Sequence, residues 1–209
     1  MKNIAILGST GSIGRNTLEI VRDHPKEFSV KALAAKKNAQ VLLEQAREFR
    51  PELVCLYDKE KALEIEDPLH DLGIPLVTAD EGLIQTSTWP SVDQVICAMV
   101  GAAGLAPLLA GIRAGKDAAI ANKEPLVMAG DLIMQTAKQC DVKVLPIDSE
   151  HSGLWQCLEG RPIESVNKLV LTSSGGPFRT FEGDFTAVSP SQALNHPRWK
   201  MGPKITIDP

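Results

Sequence analysis

The fold of this chain is decided by its N-terminal stretch, Met1-Lys2-Asn3-Ile4-Ala5-Ile6-Leu7-Gly8-Ser9-Thr10-Gly11-Ser12-Ile13-Gly14. An apolar run reaches a loop with the spacing G-x-x-G-x-x-G, and the residues that follow predict a helix. A strand, a tight turn and a helix in this order gather backbone N–H groups at a helix N-terminus, where an anion binds. Glycines also let a pyrophosphate approach the main chain. The loop therefore predicts a dinucleotide site rather than a plain glycine turn, although its spacing is one residue longer than the commonest fingerprint.

Short apolar runs alternate with longer amphipathic stretches along the first two thirds of the chain. This pattern predicts βα units that feed a doubly wound parallel sheet, and so a Rossmann-like α/β fold. The predicted strands are 3–7, 29–34, 53–56, 94–98, 117–121 and 142–146. The predicted helices are 13–22, 39–49, 105–114 and 125–139.

The texture of the sequence changes after Pro146, where Gly, Ser and Pro cluster at 173–177 and again at 189–190. Such clusters predict loops and turns, and the apolar run at 168–171, just before the first cluster, predicts a further strand. We therefore predict a nucleotide-binding domain over 1–147. Residues 148–209 are predicted to be the incomplete N-terminal part of a second, α+β catalytic domain.

Composition favours small-molecule chemistry. The 209 residues carry a net charge of −4, which argues against a nucleic-acid-binding chain because that function needs a cationic surface. The uncharged segment 95–112 is interrupted by three glycines and a proline, which favours a buried strand, a turn and a helix over a membrane span. The N-terminal apolar run is too short for a signal peptide, so we expect a cytoplasmic protein.

The residues after the second predicted strand, Ala34-Ala35-Lys36-Lys37-Asn38, address the choice of nucleotide. An NAD site usually places an acidic side chain here, against the ribose 2′-hydroxyl. Two ammonium groups would instead attract a 2′-phosphate, which favours NADP. The alternative is a solvated basic turn.

Two further motifs follow predicted strands and so point to the same edge of the sheet. In Ala121-Asn122-Lys123-Glu124-Pro125, the amide and carboxylate side chains are able to reach ribose, nicotinamide or substrate, and the lysine a phosphate. In Asp148-Ser149-Glu150-His151, two carboxylates offer oxygen ligands to Mg²⁺ or Mn²⁺. The alternatives are a helix-capping turn in the first motif and a capping aspartate in the second.

Downstream, Ser173-Ser174-Gly175-Gly176-Pro177-Phe178 is typical of a nest of backbone N–H groups that binds phosphate or a sugar hydroxyl. The motif His196-Pro197-x-Trp199-x-Met201-Gly202-x-Lys204 is too rich in Pro and Gly to be regular, and it predicts a mobile lid. A lone histidine in a loop is more often structural than catalytic.

In this order and spacing, these motifs resemble the 1-deoxy-D-xylulose-5-phosphate reductoisomerase family along essentially the whole chain. The resemblance implies an enzyme of the non-mevalonate isoprenoid pathway that rearranges a phosphosugar on a divalent metal and then reduces the product with NADPH to 2-C-methyl-D-erythritol 4-phosphate. It also implies Mn²⁺, Mg²⁺ or Co²⁺ as the metal, and a homodimer for the complete protein.

The resemblance assigns roles to individual residues. It implies Asp148 and Glu150 as metal ligands, and Lys123, Glu150 and His196 as catalytic residues. Substrate contacts are implied for Lys123, Ser149, Ser174, His196, Trp199 and Met201. Cofactor contacts are implied for Thr10, Gly11, Ser12, Ile13, Lys36, Lys37, Asn38, Asn122 and Glu124.

The chain departs from the family pattern in three places. Lys36 replaces a frequent glycine, Pro209 replaces a phosphate-binding serine, and the family's following Asn, Lys and third metal carboxylate are absent, together with its C-terminal helical domain. We therefore expect little or no turnover by this chain alone. The main alternative is a chain that binds NADP without catalysis.

Two other enzyme families are weaker alternatives. A short-chain dehydrogenase needs a Tyr-x-x-x-Lys pair, and Tyr57-Asp58-Lys59-Glu60-Lys61 provides one, but too early in the fold, so we interpret it as a surface turn. A semialdehyde dehydrogenase needs an exposed, electropositive cysteine, and none of the four cysteines has that context, so we expect them to be reduced and structural.

Overall fold

The computed structural model describes residues 1–170, 175–198, 202 and 206. Within them, one parallel sheet contains β1 (Lys2–Leu7), β2 (Phe28–Ala35), β3 (Leu53–Leu56), β4 (Leu76–Val77), β5 (Gln94–Cys97), β6 (Asp117–Ile120) and β7 (Val144–Pro146). The helices are α1 (Ser12–Asp23), α2 (Ala39–Phe49), α3 (Lys59–Ala62), α4 (Glu66–Asp71), α5 (Ala79–Ser87), α6 (Leu105–Arg113), α7 (Glu124–Cys140), α8 (Ser149–Leu158) and α9 (Pro190–Ala193). All predicted strands and helices before residue 147 are present, to within two residues at each end.

The strands lie in the order β4-β3-β2-β1-β5-β6-β7, and each neighbouring pair is parallel. The predicted α/β, doubly wound fold is thus confirmed. The order reverses between β1 and β5, and ligands bind beyond the carboxyl ends of the strands at such a point. We call this side of the sheet, where β1 ends at Leu7 and β5 at Cys97, the carboxyl edge. The opposite side, where β1 begins at Lys2, is the amino edge.

Helices cover both faces of the sheet because alternate residues of each strand point to opposite faces. On one face, Ile4 and Ile6 of β1 pack with Leu18 of α1 and Leu42 of α2. On the other face, Leu7 of β1 packs in a cluster with residues of α5, and a further cluster joins β5 and β6 with α6 and α7. Burial on both faces explains why the runs 4–7 of β1 and Leu53–Leu56 of β3 are continuously apolar.

One helix is bent. Ala129 of α7 has φ −148° and ψ 33°, which breaks the helical path between a short first segment and a longer second one. No helix in the described residues is both long and apolar enough to cross a membrane.

The chain divides into two compact units, Met1–Cys157 and Leu158–Pro209. The predicted boundary after residue 147 separates functional domains rather than compact units, and it stays a prediction. In the second unit, Phe178, Phe181 and Phe185 meet edge to face with ring centroids 5.1–6.1 Å apart. The strand predicted at 168–171 is wrong for 168–170, which have no regular structure, and Leu171 lies outside the described residues. No described strand pairs with this run, and an apolar run needs a partner strand to complete its hydrogen bonds.

Candidate functional site

The first glycine of the loop is required by its position at the reversal of strand order. Gly8 has φ +90°, and a Cβ built on it lies 2.5 Å from the carbonyl oxygen of Ala98, just beyond β5. Its N–H and that of Ser9 both donate to the carbonyl of Ala34, at 2.8 and 2.9 Å. Any side chain at Gly8 would therefore push β1 away from β5.

The third glycine lets α1 start directly against the loop. A Cβ built on Gly14 lies 2.4 Å from the Gly8 oxygen and 2.5 Å from the Cα of Ser9. Gly11 occupies the N-cap position of α1, and its N–H donates to the Gly8 oxygen at 3.1 Å. The loop is thus a tight turn that leads straight into a helix N-terminus.

Several N–H groups of this turn have no hydrogen-bond partner among the described residues. Within the described part of the chain, those of Thr10, Ser12 and Ile13 donate no hydrogen bond. The first turn of a helix always leaves such donors, and an anion satisfies them. The geometry therefore supports an anion-binding role for the loop.

A cavity of about 330 Å³ opens at the loop. Gly8, Thr10, Gly11 and Lys36 line it among the residues that the sequence singled out. Ser12, Lys37 and Asn38 do not line this cavity, and Ile13 lines a separate apolar groove of about 310 Å³ beside α1. Sequence reasoning missed the apolar lining, which comes from Tyr57, Leu83, Ala98, Met99, Val100 and Ala103.

Tyr57 corrects one interpretation. Its sequence context suggested a surface turn, but the side chain is partly buried against the apolar cluster on the α5 face and lines the cavity. Its N–H donates to the Ala35 carbonyl at 2.9 Å, which holds the end of β3 beside the end of β2. The sequence feature that could have predicted this burial is the apolar strand β3, which ends directly before Tyr57.

Lys36, Lys37 and Asn38 follow the end of β2, and we call this segment the basic corner. Lys36 and Lys37 are exposed, and the Lys37 ammonium lies 3.7 Å from the Asp58 carboxylate. Asn38 caps α2, because its side-chain oxygen accepts from the N–H of Val41 at 3.2 Å. The corner thus combines two cations with the start of a second helix.

The motif after β6 also lies at the carboxyl edge. Asn122 places its amide nitrogen in a buried position where no other described residue accepts a hydrogen bond from it. Lys123 is the N-cap residue of α7 and Glu124 its first residue, and the Lys123 carbonyl accepts from Val127 N–H at 3.0 Å. A buried donor without an acceptor is costly unless a ligand supplies one, so Asn122 is the residue of this motif that points most directly to a ligand.

Asp148 precedes α8 and acts as a cap. Its Oδ1 accepts from the His151 N–H at 2.9 Å and lies 2.8 Å from the His151 ring nitrogen Nδ1. Asp148 therefore does act as a cap, although within the described part of the chain this engages only its Oδ1. Ser149 and Glu150 lie in the first turn of α8. The Asp148 and Glu150 carboxylates are oxygen donors of the kind that a divalent cation prefers, but two of them complete only part of its coordination shell. No group of three or more possible ligand side chains occurs among the described residues.

His196 belongs to the second unit and is described by itself. It is largely buried, and its Nδ1 accepts from the N–H of Arg198 at 3.2 Å. A neutral ring bonded in this way carries its proton on Nε2. Ser174, Trp199, Met201, Lys204 and Pro209 lie outside the described residues.

The cysteines give no nucleophile in the sheet. Burial raises the pKa of the Cys55 thiol to about 12 and that of Cys97 to about 11, so neither is a thiolate near neutral pH. All four cysteines, including the more accessible Cys140 and Cys157, are unpaired with one another.

Two family models match the chain. Residues 4–130 match the model described as 1-deoxy-D-xylulose 5-phosphate reductoisomerase, and residues 144–209 match that of its C-terminal domain. Among curated relatives, the reductoisomerases of Lachnoclostridium phytofermentans and Protochlamydia amoebophila are 50% and 47% identical over 209 residues. These alignments cover 100% of this chain and 54% of each relative. The chain thus spans about half the length of the curated relatives it matches.

Solved structures agree. A DOX-P reductoisomerase in complex with NADPH, fosmidomycin and magnesium aligns with a TM-score of 0.86 and 40% identity, over 100% of this chain and 54% of that one. The Zymomonas mobilis reductoisomerase in complex with NADPH aligns with a TM-score of 0.87 and 32% identity, over 94% of this chain and 52% of that one.

Proposed function

The chain belongs to the 1-deoxy-D-xylulose 5-phosphate reductoisomerase family, and we propose that it supplies the NADPH site and part of the metal site of such an enzyme. The complete protein would convert 1-deoxy-D-xylulose 5-phosphate to 2-C-methyl-D-erythritol 4-phosphate in the cytoplasm, as a homodimer. These features of the complete protein rest on family membership.

One observation carries the nucleotide proposal. The N–H groups of the glycine loop that have no partner in the described part of the chain lie at the reversal of strand order, where Thr10 and Gly11 line the 330 Å³ cavity. A pyrophosphate meets both needs of such a loop, since it accepts several hydrogen bonds and carries negative charge. On the wall of the same cavity, Lys36 supports a 2′-phosphate and hence NADPH over NADH.

Contacts along the rest of the nucleotide are proposed for the other family-matched positions. Ser12 and Ile13 offer helix N-terminal N–H groups, while Lys37 and Asn38 extend the basic corner. Asn122 and Glu124 would meet the nicotinamide half, which the buried, unaccepted amide hydrogens of Asn122 support. Lys123 would bind substrate at the start of α7.

Asp148 and Glu150 would hold the divalent metal, with Mn²⁺, Mg²⁺ or Co²⁺ as candidates. Such an ion, when bound, stabilises developing oxyanion charge and polarises a carbonyl for reduction. Asp148 already has one oxygen fixed by its capping bond, which orients the other. Ser149, Ser174, His196, Trp199 and Met201 would contact substrate, with Lys123, Glu150 and His196 as catalytic residues.

Titration of the purified chain with NADPH and NADH tests the nucleotide proposal. We expect the wild-type chain to bind NADPH more tightly than NADH. We expect the Lys36→Ala/Lys37→Ala double variant to bind NADPH more weakly than the wild type does. A charge-assisted hydrogen bond contributes about 1.5–3 kcal/mol, which corresponds to about ten- to hundredfold in affinity. The matched control is Lys116→Ala, whose ammonium donates to the Pro90 carbonyl at the amino edge. Equal affinities for the two nucleotides, unchanged in the double variant, would contradict the proposal.

A second candidate function is nucleotide binding without turnover. The incomplete set of ligand side chains among the described residues favours it for this chain alone. NADPH oxidation with 1-deoxy-D-xylulose 5-phosphate and Mn²⁺ distinguishes the two, when this chain is compared with a version extended by the remaining half of its relatives. We expect turnover only in the extended chain. Near-equal turnover by both would rule the second candidate out.

A further inference from the structure

A buried glutamine that the sequence did not single out contacts the glycine loop through a hydrogen bond. Gln45 lies on α2, is only 6% exposed, and donates from Nε2 to the Ser9 carbonyl oxygen at 2.9 Å. Ser9 itself is fully buried. Because only the amide nitrogen is able to donate to a carbonyl, this contact sets the orientation of the side-chain amide.

This hydrogen bond serves the loop rather than the helix. Gln45 Oε1 and Ser9 Oγ are both buried, and neither has a hydrogen-bond partner among the described residues. The bond from Nε2 is therefore the one polar contact of the Gln45 side chain within the described part of the chain. A buried amide that satisfies only half of its hydrogen-bonding capacity is a poor stabilising element by itself, so its main contribution is the donor that it gives to the Ser9 carbonyl oxygen.

Peptide geometry links Gln45 to the cavity. The Ser9 carbonyl and the Thr10 N–H belong to one planar trans peptide, so they point in opposite directions. With the Ser9 oxygen turned toward α2, the Thr10 N–H is turned away from it, and Thr10 lines the cavity. The rest of the loop restrains the neighbouring atoms, since Ser9 N–H donates to Ala34 and a Cβ at Gly14 would overlap Ser9.

We propose that Gln45 is a positioning residue for the nucleotide pyrophosphate, because it fixes the Ser9–Thr10 peptide with its N–H toward the cavity. This inference rests on the proposed NADPH function and deepens it. The same helix begins with the Asn38 cap at the basic corner. Helix α2 therefore sets the distance between the pyrophosphate end and the 2′-phosphate end of the site.

The test compares two ligands in the Gln45→Met variant, which keeps the length of the side chain and removes the donor. NADPH contains the pyrophosphate, whereas adenosine 2′-monophosphate lacks it and engages only the basic corner. We expect the variant to bind NADPH about tenfold more weakly and to bind adenosine 2′-monophosphate as the wild type does, with a thermal midpoint lowered by no more than a few degrees. Gln40→Met on the same helix is the matched control, because Gln40 is exposed and bonds only Glu44 among the described residues.

The outcomes separate this inference from the proposed function. Failure of the wild type to bind NADPH would overturn both. Binding of NADPH by the wild type and by Gln45→Met with equal affinity would overturn the role of Gln45 alone, as would an equal loss for both ligands, which indicates general destabilisation.

A measurement on the wild type needs no variant. In amide NMR spectra, NADPH is expected to shift the Thr10 signal strongly and the Ser9 signal weakly, since Ser9 N–H is already bonded to Ala34. The reverse pattern would overturn the proposed peptide orientation.

Discussion

The two edges of the sheet treat their polar groups in opposite ways. At the amino edge, the Glu52 carboxylate accepts from Ser91 Oγ at 2.6 Å and Trp89 Nε1 at 2.9 Å, and it pairs with the Lys31 ammonium at 2.9 Å. At the carboxyl edge, the Thr10 N–H and the Asn122 amide nitrogen have no partner among the described residues. Polar groups whose hydrogen bonds are made within the protein stabilise the fold. Polar groups whose hydrogen bonds are not made there are available to a ligand.

Acidity reflects the same contrast. The hydrogen bond from Ser91, followed by those from Lys31 and Trp89, lowers the pKa of Glu52 to about 2. At the start of β6, burial opposes ionisation of Asp117, but the Lys143 N–H and the Lys2 ammonium outweigh it and lower its pKa. Charge at the amino edge is thus fixed by protein partners over the ordinary pH range. At the carboxyl edge, the ammonium groups of Lys36 and Lys37 are exposed, so a ligand is able to reach them.

The largest effect is expected from Gly8→Ala at the carboxyl edge. The added Cβ would lie 2.5 Å from the Ala98 oxygen in a residue with φ +90°, so β1 and the loop must shift. We expect the free energy of unfolding to fall by about 1–3 kcal/mol and NADPH to bind about ten- to hundredfold more weakly. Denaturant melts and nucleotide titration measure the two changes. Gly153→Ala in α8, where a Cβ meets nothing within 4 Å, is the control that should alter neither strongly.

At the amino edge, Glu52→Gln should lower the free energy of unfolding and leave the affinity for NADPH unchanged. The carboxylate loses its charge while its neighbours remain. Since its side chain is 41% exposed, we expect the free energy of unfolding to fall by only about 1–2 kcal/mol. Urea denaturation and NADPH titration check this pair of results, with the exposed Glu159→Gln as control. Weaker NADPH binding by Glu52→Gln would mean that the two edges are not independent.

The pH dependence of stability sharpens the same point. A carboxyl whose pKa falls from 4.5 to about 2 on folding stabilises the protein fully above pH 4.5, and this contribution is lost as the pH falls toward 2. The stability difference between wild type and Glu52→Gln should therefore be constant from pH 5 upward and shrink below pH 4.5. Melting curves at a series of pH values measure it, and a difference that is flat down to pH 2.5 would refute the assignment.

The smallest effect concerns an ion pair at the carboxyl edge, between Lys37 and Asp58. Asp58→Asn keeps a good N-cap for α3 and removes the charge that competes with a phosphate for Lys37. An exposed pair contributes about 0.2–1 kcal/mol, so NADPH should bind less than about fivefold more tightly, and the gain should vanish in high salt. Titrations at two salt concentrations, beside Asp67→Asn, decide it. Weaker binding by Asp58→Asn would show that Asp58 assists the ligand instead.

Sequence reasoning succeeded where structure is local. The loop from Gly8 to Gly14 and the helices α1, α2, α6 and α7 follow from spacing and periodicity, and these helices were predicted to within two residues at each end. In contrast, β4 contains only Leu76 and Val77 and is defined by its pairing with β3, so its own residues carry no pattern. The helices α3, α4 and α5 around it were missed for a similar reason, since they are short or only weakly amphipathic.

The lining of the cavity could not be predicted without knowledge of the strand order. Met99 and Val100 line the cavity because β5 pairs with β1, and periodicity does not reveal which strand is the neighbour of which. Gln45 was missed because a polar residue in an amphipathic helix usually faces water, whereas here it faces the loop. For Asp148, the sequence left a metal ligand and a cap as alternatives. The structure adds the capping bond, and the metal role stays a prediction.

The bend at Ala129 has a mechanical consequence. It leaves Glu124–Met128 as little more than one turn, and a helix that short gains little stability from its own hydrogen bonds. The longer segment is anchored in the core by Ile133 and Ala137. The bend therefore lets the turn that begins at Glu124 take a direction different from that of the longer segment, while Leu126 packs this turn against the same apolar cluster.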